Sequence, residues 1–295
     1  MTNLEQRIAL AGEQHQSLES WLYTANVALA KVVPLGLAYA VSLPIADVFY
    51  CTWASKRQGA LRNYARILGC SPDDERVQRL ARSSFRNFGK YLVELLHVQG
   101  WSMERLRRTV TIRGEEHFDE ARKYGRGVIF ASAHMGSIEV GSALVLLKGF
   151  RITSVMEQLR PKMLMDWIVL CRAKMGVSLL PTQGTGRQLL RALRRGEMVA
   201  LVVDVGYRDG AGVPVNFLGH PTYFPAGLAR LSRLSGAPII FGTAVRLPHN
   251  RFLAYASPPI LPDRTKDADQ DIRNTTQRVV DIFEEFVRRY PDQWY

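Results

Sequence analysis

The sequence predicts an α/β fold built on a mainly parallel central sheet flanked by helices, with apolar and basic helices ahead of it. Three observations lead there. Apolar runs at residues 128–133, 198–203 and 238–245 are bounded by glycines or polar corners; each is too short for a buried helix and is apolar on both faces, as a strand covered on two sides must be. Helix-patterned segments separate these runs, as crossovers between parallel strands require. Residues 1–98 lack that alternation and read as polar, then apolar, then basic helical sequence.

Taken in order, residues 1–20 are polar and lack the basic, apolar and small-residue succession of a secretory signal, so no export is expected. Residues 21–53 carry only Lys31 and Asp47 as charges. The uncharged run 32–46 would measure about 22 Å as a helix, short of the roughly 30 Å hydrocarbon core. Pro34 and Pro44 would also kink it. A simple span is therefore disfavoured, leaving a segment that enters one leaflet or one that packs on the domain's own core. Trp21, Tyr23, Tyr39, Tyr50 and Trp53 among aliphatics suit an interfacial position, and membrane contact is the expectation.

Residues 55–98 set Arg57, Arg62, Arg66, Arg76, Arg79, Arg82, Arg86 and Lys90 among apolar positions of helical pattern, with a helix start at Ser71, Pro72, Asp73 and Asp74. Beside an apolar segment such a face meets anionic headgroups, each basic residue contributing about 1 kcal/mol. A strand-like stretch at 109–112 and a short helix at 115–123 lead to the central strand. The expected order is then helix 137–147 closed by Gly149, strand 151–156, helix 163–175 closed by Gly176, strand 177–180, and helix 188–195 closed by Gly196. Strand 198–203, helix 226–235 closed by Gly236, strand 238–245, an added strand 252–260 and an amphipathic helix 269–290 complete it.

The 295 residues suffice for one large domain or a domain with a subdomain, and 47% hydrophobic residues exclude wholesale disorder. A net charge of +12 draws the chain to polyanions: nucleic acid, an anionic membrane, or the phosphates of a carrier such as coenzyme A or a phosphopantetheine protein. Cys51, Cys70 and Cys171 are scattered and read as packing residues, with no disulfide or zinc pattern. There is no G-x-S-x-G elbow and no Walker loop, and Gly184-Thr185-Gly186 is not a dinucleotide fingerprint. The histidines are too separated for a metal cluster, so no metal is expected.

Candidate chemistry gathers at residues 125–141. The strand 128–133 ends at His134, a polar corner follows through Met135 and Gly136, and a helix opens near Ser137 with Glu139 in its first turn. In open α/β sheets ligands bind at the carboxyl edge of the strands. A histidine there can act as a base, and the Glu139 carboxylate can turn back to hold its tautomer. His134, Glu157, Asp204 and Arg246 each directly follow an apolar strand, so parallel strands would deliver all four to one crevice.

His134-x4-Glu139 after an apolar strand resembles the H-x4-D/E motif of glycerolipid-type acyltransferases. More specifically, the chain is similar to the bacterial lipid A late acyltransferase family, whose relatives include phosphatidylinositol mannoside acyltransferases. The likeness covers residues 57–294 and rests on an ordered series of pieces. These are Arg62-Asn63, Gly127-Val128, Ala133-His134-Met135-Gly136, Val155-x-Glu157 with Arg160-Pro161, Arg172 ahead of Gly176, and Arg195-Gly196-Glu197 leading to Asp204. Val213-Pro214-Val215-x-Phe217-Leu218-Gly219, Pro225-Ala226-Gly227, Gly236-Ala237-Pro238 and Pro291-x-Gln293-Trp294 follow. Ser137-Ile138 stands where the family often has Asn-Trp, Val205-Gly206 where Gln or Arg is common, and the sequence reads to Tyr295 without the basic tail of many members.

The resemblance implies a glycerolipid acyltransferase-like fold and transfer of a fatty acyl group from acyl-CoA or acyl-carrier protein to a hydroxyl of a membrane glycolipid or phospholipid. His134 would take the hydroxyl proton with Glu139 assisting, and amides at Gly136 and Ser137 would serve the oxyanion. Arg160 and Arg172 would contact phosphate or sugar oxygens, and Glu157 and Asp204 would form an acidic wall that aligns the acceptor or pairs with these arginines. No cofactor beyond the donor substrate and no nucleic-acid partner is expected. Residues 1–55 are expected to be membrane-associating helices and 56–295 the acyltransferase domain, acting at the cytoplasmic face of the inner membrane. The rival expectations are a non-catalytic basic membrane- or polyanion-binding protein on the same fold, and a thioesterase or lipid hydrolase.

Overall fold

A computed structural model describes residues 32–156, 162–205 and 212–295. The expectations for residues 1–31, for Glu157 and for Arg160 lie outside these residues. The fold class is as expected: a seven-stranded, mostly parallel sheet flanked by helices, with an apolar helix near the start of the described chain.

That apolar helix, α1, covers Leu35–Thr52 and contains Pro44. Its Leu35, Tyr39 and Ala46 are buried, while Leu37, Val41, Ile45, Val48 and Phe49 are exposed along the opposite side. Such a split at spacings of three and four marks a helix with two apolar faces, only one of them covered by protein. The basic segment forms α2 (Ala54–Leu68) and α3 (Glu75–His97). Gly69 in the left-handed conformation closes α2, and the Asp74 carboxylate caps α3 by accepting from the Arg76 amide, satisfying a donor the helix cannot.

The body follows as α4 (Met103–Thr109), β1 (Val110–Arg113), α5 (Glu116–Arg122), β2 (Val128–Ser132), α6 (Ile138–Leu147), β3 (Ile152–Met156) and α7 (Lys162–Lys174). Then come β4 (Val177–Pro181), α8 (Gly186–Arg194), β5 (Met198–Val202), β6 (Val213–Phe217), β7 (His220–Phe224), α9 (Gly227–Ser235), β8 (Ile239–Leu247), β9 (Arg251–Ala256) and α10 (Ala268–Arg289). The sheet order is β1-β9-β8-β2-β5-β3-β4, with β8 and β9 antiparallel and every other neighbouring pair parallel. The hairpin β6–β7, which sequence patterning did not single out, forms a separate two-stranded sheet held to α10 by paired hydrogen bonds between Asn216 and Gln277.

Alternation along the strands sorts side chains to two faces. Ile129, Ala131, Val199, Ile239 and Phe241 meet α8, α9 and α10 in the larger core. Val128, Met198 and Ile240 meet α5, α6 and α7 on the other side. The short run from β2 to β5 is in register as Ser132 opposite Val202, a detail that decides the geometry of the site.

Arg246 requires a correction. The strand expected to end at Val245 continues through Leu247 and pairs with β9, so Arg246 lies inside the ladder rather than at the sheet's open edge. It is 5% exposed and forms a two-pronged ion pair with Glu94 of α3, at 2.6 Å from Nε and 3.0 Å from Nη2. Tyr39 of α1 donates to the same carboxylate at 2.6 Å. This guanidinium ties the N-terminal helices to the sheet instead of meeting a substrate. Removing one partner of such a pair strands the other charge in the interior. Glu94→Ala is expected to lower stability by about 3–5 kcal/mol, measured as a fall in the denaturation midpoint in urea.

Candidate active site

The site starts from the register of two strands. Because Ser132 of β2 lies opposite Val202 of β5, residues two places further along each strand leave the sheet side by side: His134 and Asp204. His134 Nδ1 lies 3.0 Å from Asp204 Oδ1, and the His134 amide donates to Asp204 Oδ2 at 2.9 Å. The imidazole is 49% exposed and the carboxylate 3%. A buried carboxylate on Nδ1 keeps the proton on that nitrogen and the lone pair on Nε2, the tautomer a general base needs.

Glu139 is elsewhere. Gly136 has φ of +64°, and a Cβ there would come within 2.2 Å of the Ala244 carbonyl oxygen, so only glycine permits the corner to close against β8. Ser137 then caps α6, its Oγ accepting from the Val140 amide. The helix so directed turns Glu139 toward Arg172 of α7, whose Nη2 stands 3.7 Å from Oε1. Glu139 is 1% exposed, and Oε1 has no hydrogen-bond partner among the described residues. Burial pushes its carboxyl above the ordinary carboxylate value, and the Arg172 charge opposes that rise. Tyr91 of α3 is coupled to the same pair: burial raises its phenol, the Glu139 charge adds to the rise, and Arg172 offsets it. The tautomer-holding position expected of Glu139 is thus occupied by Asp204.

The amides expected to serve an oxyanion are committed to the protein. Gly136 N donates to the Gln293 carbonyl at 2.8 Å and Ser137 N to the Ala244 carbonyl at 2.7 Å. They close the corner and have no proton left to offer a substrate.

His134, Ser137, Glu139 and Arg172 line a cavity of about 1490 Å³. Its lining includes Phe130, Ser132, Ser154 and Ala200 on one face of the sheet, runs from Pro181 and Val205 at the carboxyl edge to Ile152 and Val177 at the beginnings of β3 and β4, and also takes in Leu189 of α8 and Leu228 and Leu231 of α9 from the other side. Five strand residues extend about 16 Å. Small side chains at Ser132, Ser154, Ala200 and Gly242 leave the space open. Phe130 lies across Gly242, where a Cβ would meet the ring at 2.3 Å, and stacks on Phe118 with centroids 6.2 Å apart. Arg230 of α9, exposed on the cavity lining, is a cation that sequence reading did not select; its helix pattern marked only a surface face. Among the described residues no group of three or more His, Cys, Asp and Glu side chains is placed to hold a metal ion.

A family model described as bacterial lipid A biosynthesis acyltransferase matches residues 13–295. The phosphatidylinositol mannoside acyltransferase of Mycobacterium tuberculosis is 28% identical over 79% of this chain and 73% of its own length. That of Mycolicibacterium smegmatis is 26% identical over 92% of this chain and 88% of its own. The lipid A biosynthesis palmitoleoyltransferase of Escherichia coli is 27% identical over 58% and 56%.

Because the folded state holds the Glu139 proton more tightly than an open chain does, that carboxyl favours folding at low pH and the advantage is lost as pH rises above the ordinary carboxylate value. Glu139→Gln, which cannot ionise, is expected to gain in melting temperature relative to the native chain as pH increases from about 4 to 8, with the two converging at the acid end. Thermal melts across that range read the difference.

Proposed function

From the premise that the chain belongs to the bacterial lipid A biosynthesis acyltransferase family, and is therefore an acyltransferase, we propose that it moves a fatty acyl group from acyl-CoA or acyl-carrier protein to a hydroxyl of a membrane glycolipid or phospholipid. The observation that carries this reading is the His134–Asp204 pair at the mouth of a long, largely apolar cavity. A thioester is already activated, so the protein's tasks are to deprotonate an alcohol and to hold it against the carbonyl carbon.

In this reading the acceptor hydroxyl gives its proton to His134 Nε2 as its oxygen bonds to the thioester carbon. Asp204 holds the ring and stabilises the imidazolium. The tetrahedral intermediate then collapses, the C–S bond breaks, and the proton passes from His134 to the departing thiolate. Glu139 assists at one remove, keeping the Arg172 guanidinium at the cavity wall, where it meets phosphate or sugar oxygens. The acyl chain lies along Ser132, Ser154 and Ala200 and ends near the Phe118–Phe130 stack. No cofactor beyond the donor enters these steps.

The membrane face is assigned to residues 1–55. The uncovered stripe of α1, continued by the exposed Trp53, is apolar, while Lys56, Arg62 and Arg66 of α2 supply cations beside it. Since α1 keeps its other face on α3, the proposed arrangement is a helix lying in one leaflet at the cytoplasmic face, not one crossing the bilayer.

Incubation with radiolabelled palmitoyl-CoA or palmitoyl-carrier protein and a total lipid extract tests the reaction: labelled lipid is expected, and none with either donor overturns it. His134→Ala is expected to abolish transfer, and Asp204→Asn to reduce kcat by about a hundred- to ten-thousand-fold. Phe130→Ala is expected to shift the preferred donor to longer acyl chains and Gly242→Ala to shorter ones, read from competition between labelled donors.

A further inference from the structure

The segment after α10 is built into the site. A short 3-10 turn (Pro291–Gln293) brings the chain back under the catalytic corner, where Trp294 pairs with Met135 in an isolated antiparallel bridge. Tyr295 N donates to the His134 carbonyl at 2.9 Å, and the Gln293 carbonyl accepts from Gly136 N. The Gln293 side chain exchanges two hydrogen bonds with the Arg246 main chain, at 2.7 and 2.8 Å, so the strap is anchored to β8 on its far side.

The decisive contact is made by the indole. Trp294 Nε1 donates to Asp204 Oδ2 at 3.0 Å. Of the hydrogen bonds described on that carboxylate, the other two come from His134 itself. A carboxylate gripped only by the residue it must orient would turn with it; the indole supplies an independent fixed point. Its own position is set by edge-to-face packing on Phe217 and Phe283, both with centroids at 5.8 Å, and by Tyr64 of α2 donating to the Trp294 carbonyl at 2.9 Å. Three elements, β6, α10 and α2, thus hold one N–H at the rear of the dyad.

The geometry points to Trp294 as a positioning residue for proton abstraction, acting through Asp204 and touching no substrate. This rests on the reading of His134 as general base. Groups that orient a catalytic side chain from behind typically contribute about ten- to a hundredfold. Trp294→Phe keeps an aromatic ring against Phe217 and Phe283 and deletes the N–H; benzothienylalanine at 294 replaces N–H by sulfur at constant shape and guards against a folding defect.

In the full-length chain, both changes are expected to lower kcat by about ten- to a hundredfold while KM for donor and acceptor stays within about twofold. In an Asp204→Asn background neither is expected to lower kcat further, because the group it acts through is already disabled. Unchanged kcat in both variants overturns the proposal, as does a loss that recurs undiminished beside Asp204→Asn or a rise in KM alone. His134→Ala separates the two levels. Full activity in that variant removes the base and the positioning role together, whereas activity lost there and kept in the Trp294 variants overturns only the latter.

Discussion

The Asp204 carboxylate is the constraint from which the rest of the site follows. It leaves β5 beside the end of β2, receives both the amide and Nδ1 of His134, and is met from behind by Trp294. The pairing is a property of the sheet rather than of the loops. Sliding β2 by one residue against β5 would turn Ile129 and Ala131 out of the larger core, so burial of those side chains and alignment of His134 with Asp204 are set by one register. A carboxylate 3% exposed then keeps its contacts in a low-dielectric setting, where they are stronger than in water.

The same sheet borders a cavity lined by small side chains on one of its faces. Central strands are ordinarily packed to high density. Here Ser132, Ser154, Ala200 and Gly242 are small, and they line the cavity together with residues of α6 and α7. The opposite face carries the compensating density: Phe241, Phe283 and their aromatic neighbours around α10 form the larger cluster.

Much of this was legible in the sequence because glycines and polar corners punctuate the apolar runs; the helices closed by Gly149, Gly176, Gly196 and Gly236 fall where those residues place them. Asp204 could be placed at the open edge because it follows a strand directly. Its partnership with His134 could not, since periodicity does not say that β5 is the neighbour of β2. Proximity in sequence favoured Glu139 instead, and the Gly136 and Ser137 bonds that turn α6 away are long-range contacts to Gln293 and Ala244. Arg246 is hidden for a related reason: the strand runs through it to Leu247, and the partner that neutralises the charge, Glu94, lies 152 residues away. The hairpin β6–β7 alternates Val213, Val215 and Phe217, but Pro214 and Pro221 fall inside its two short runs and weaken a strand reading, and it owes its place to α10.

The ion pair between Arg246 and Glu94 also bears on how such a chain can be handled. Here α3 supplies the counter-charge for a guanidinium embedded in the sheet, and α1 supplies the tyrosine that completes it, so the N-terminal helices cannot be removed without opening the interior. Polar side chains in place of Leu37, Val41, Ile45, Val48 and Phe49 on the outer stripe would leave the inward face, and with it this pair, intact.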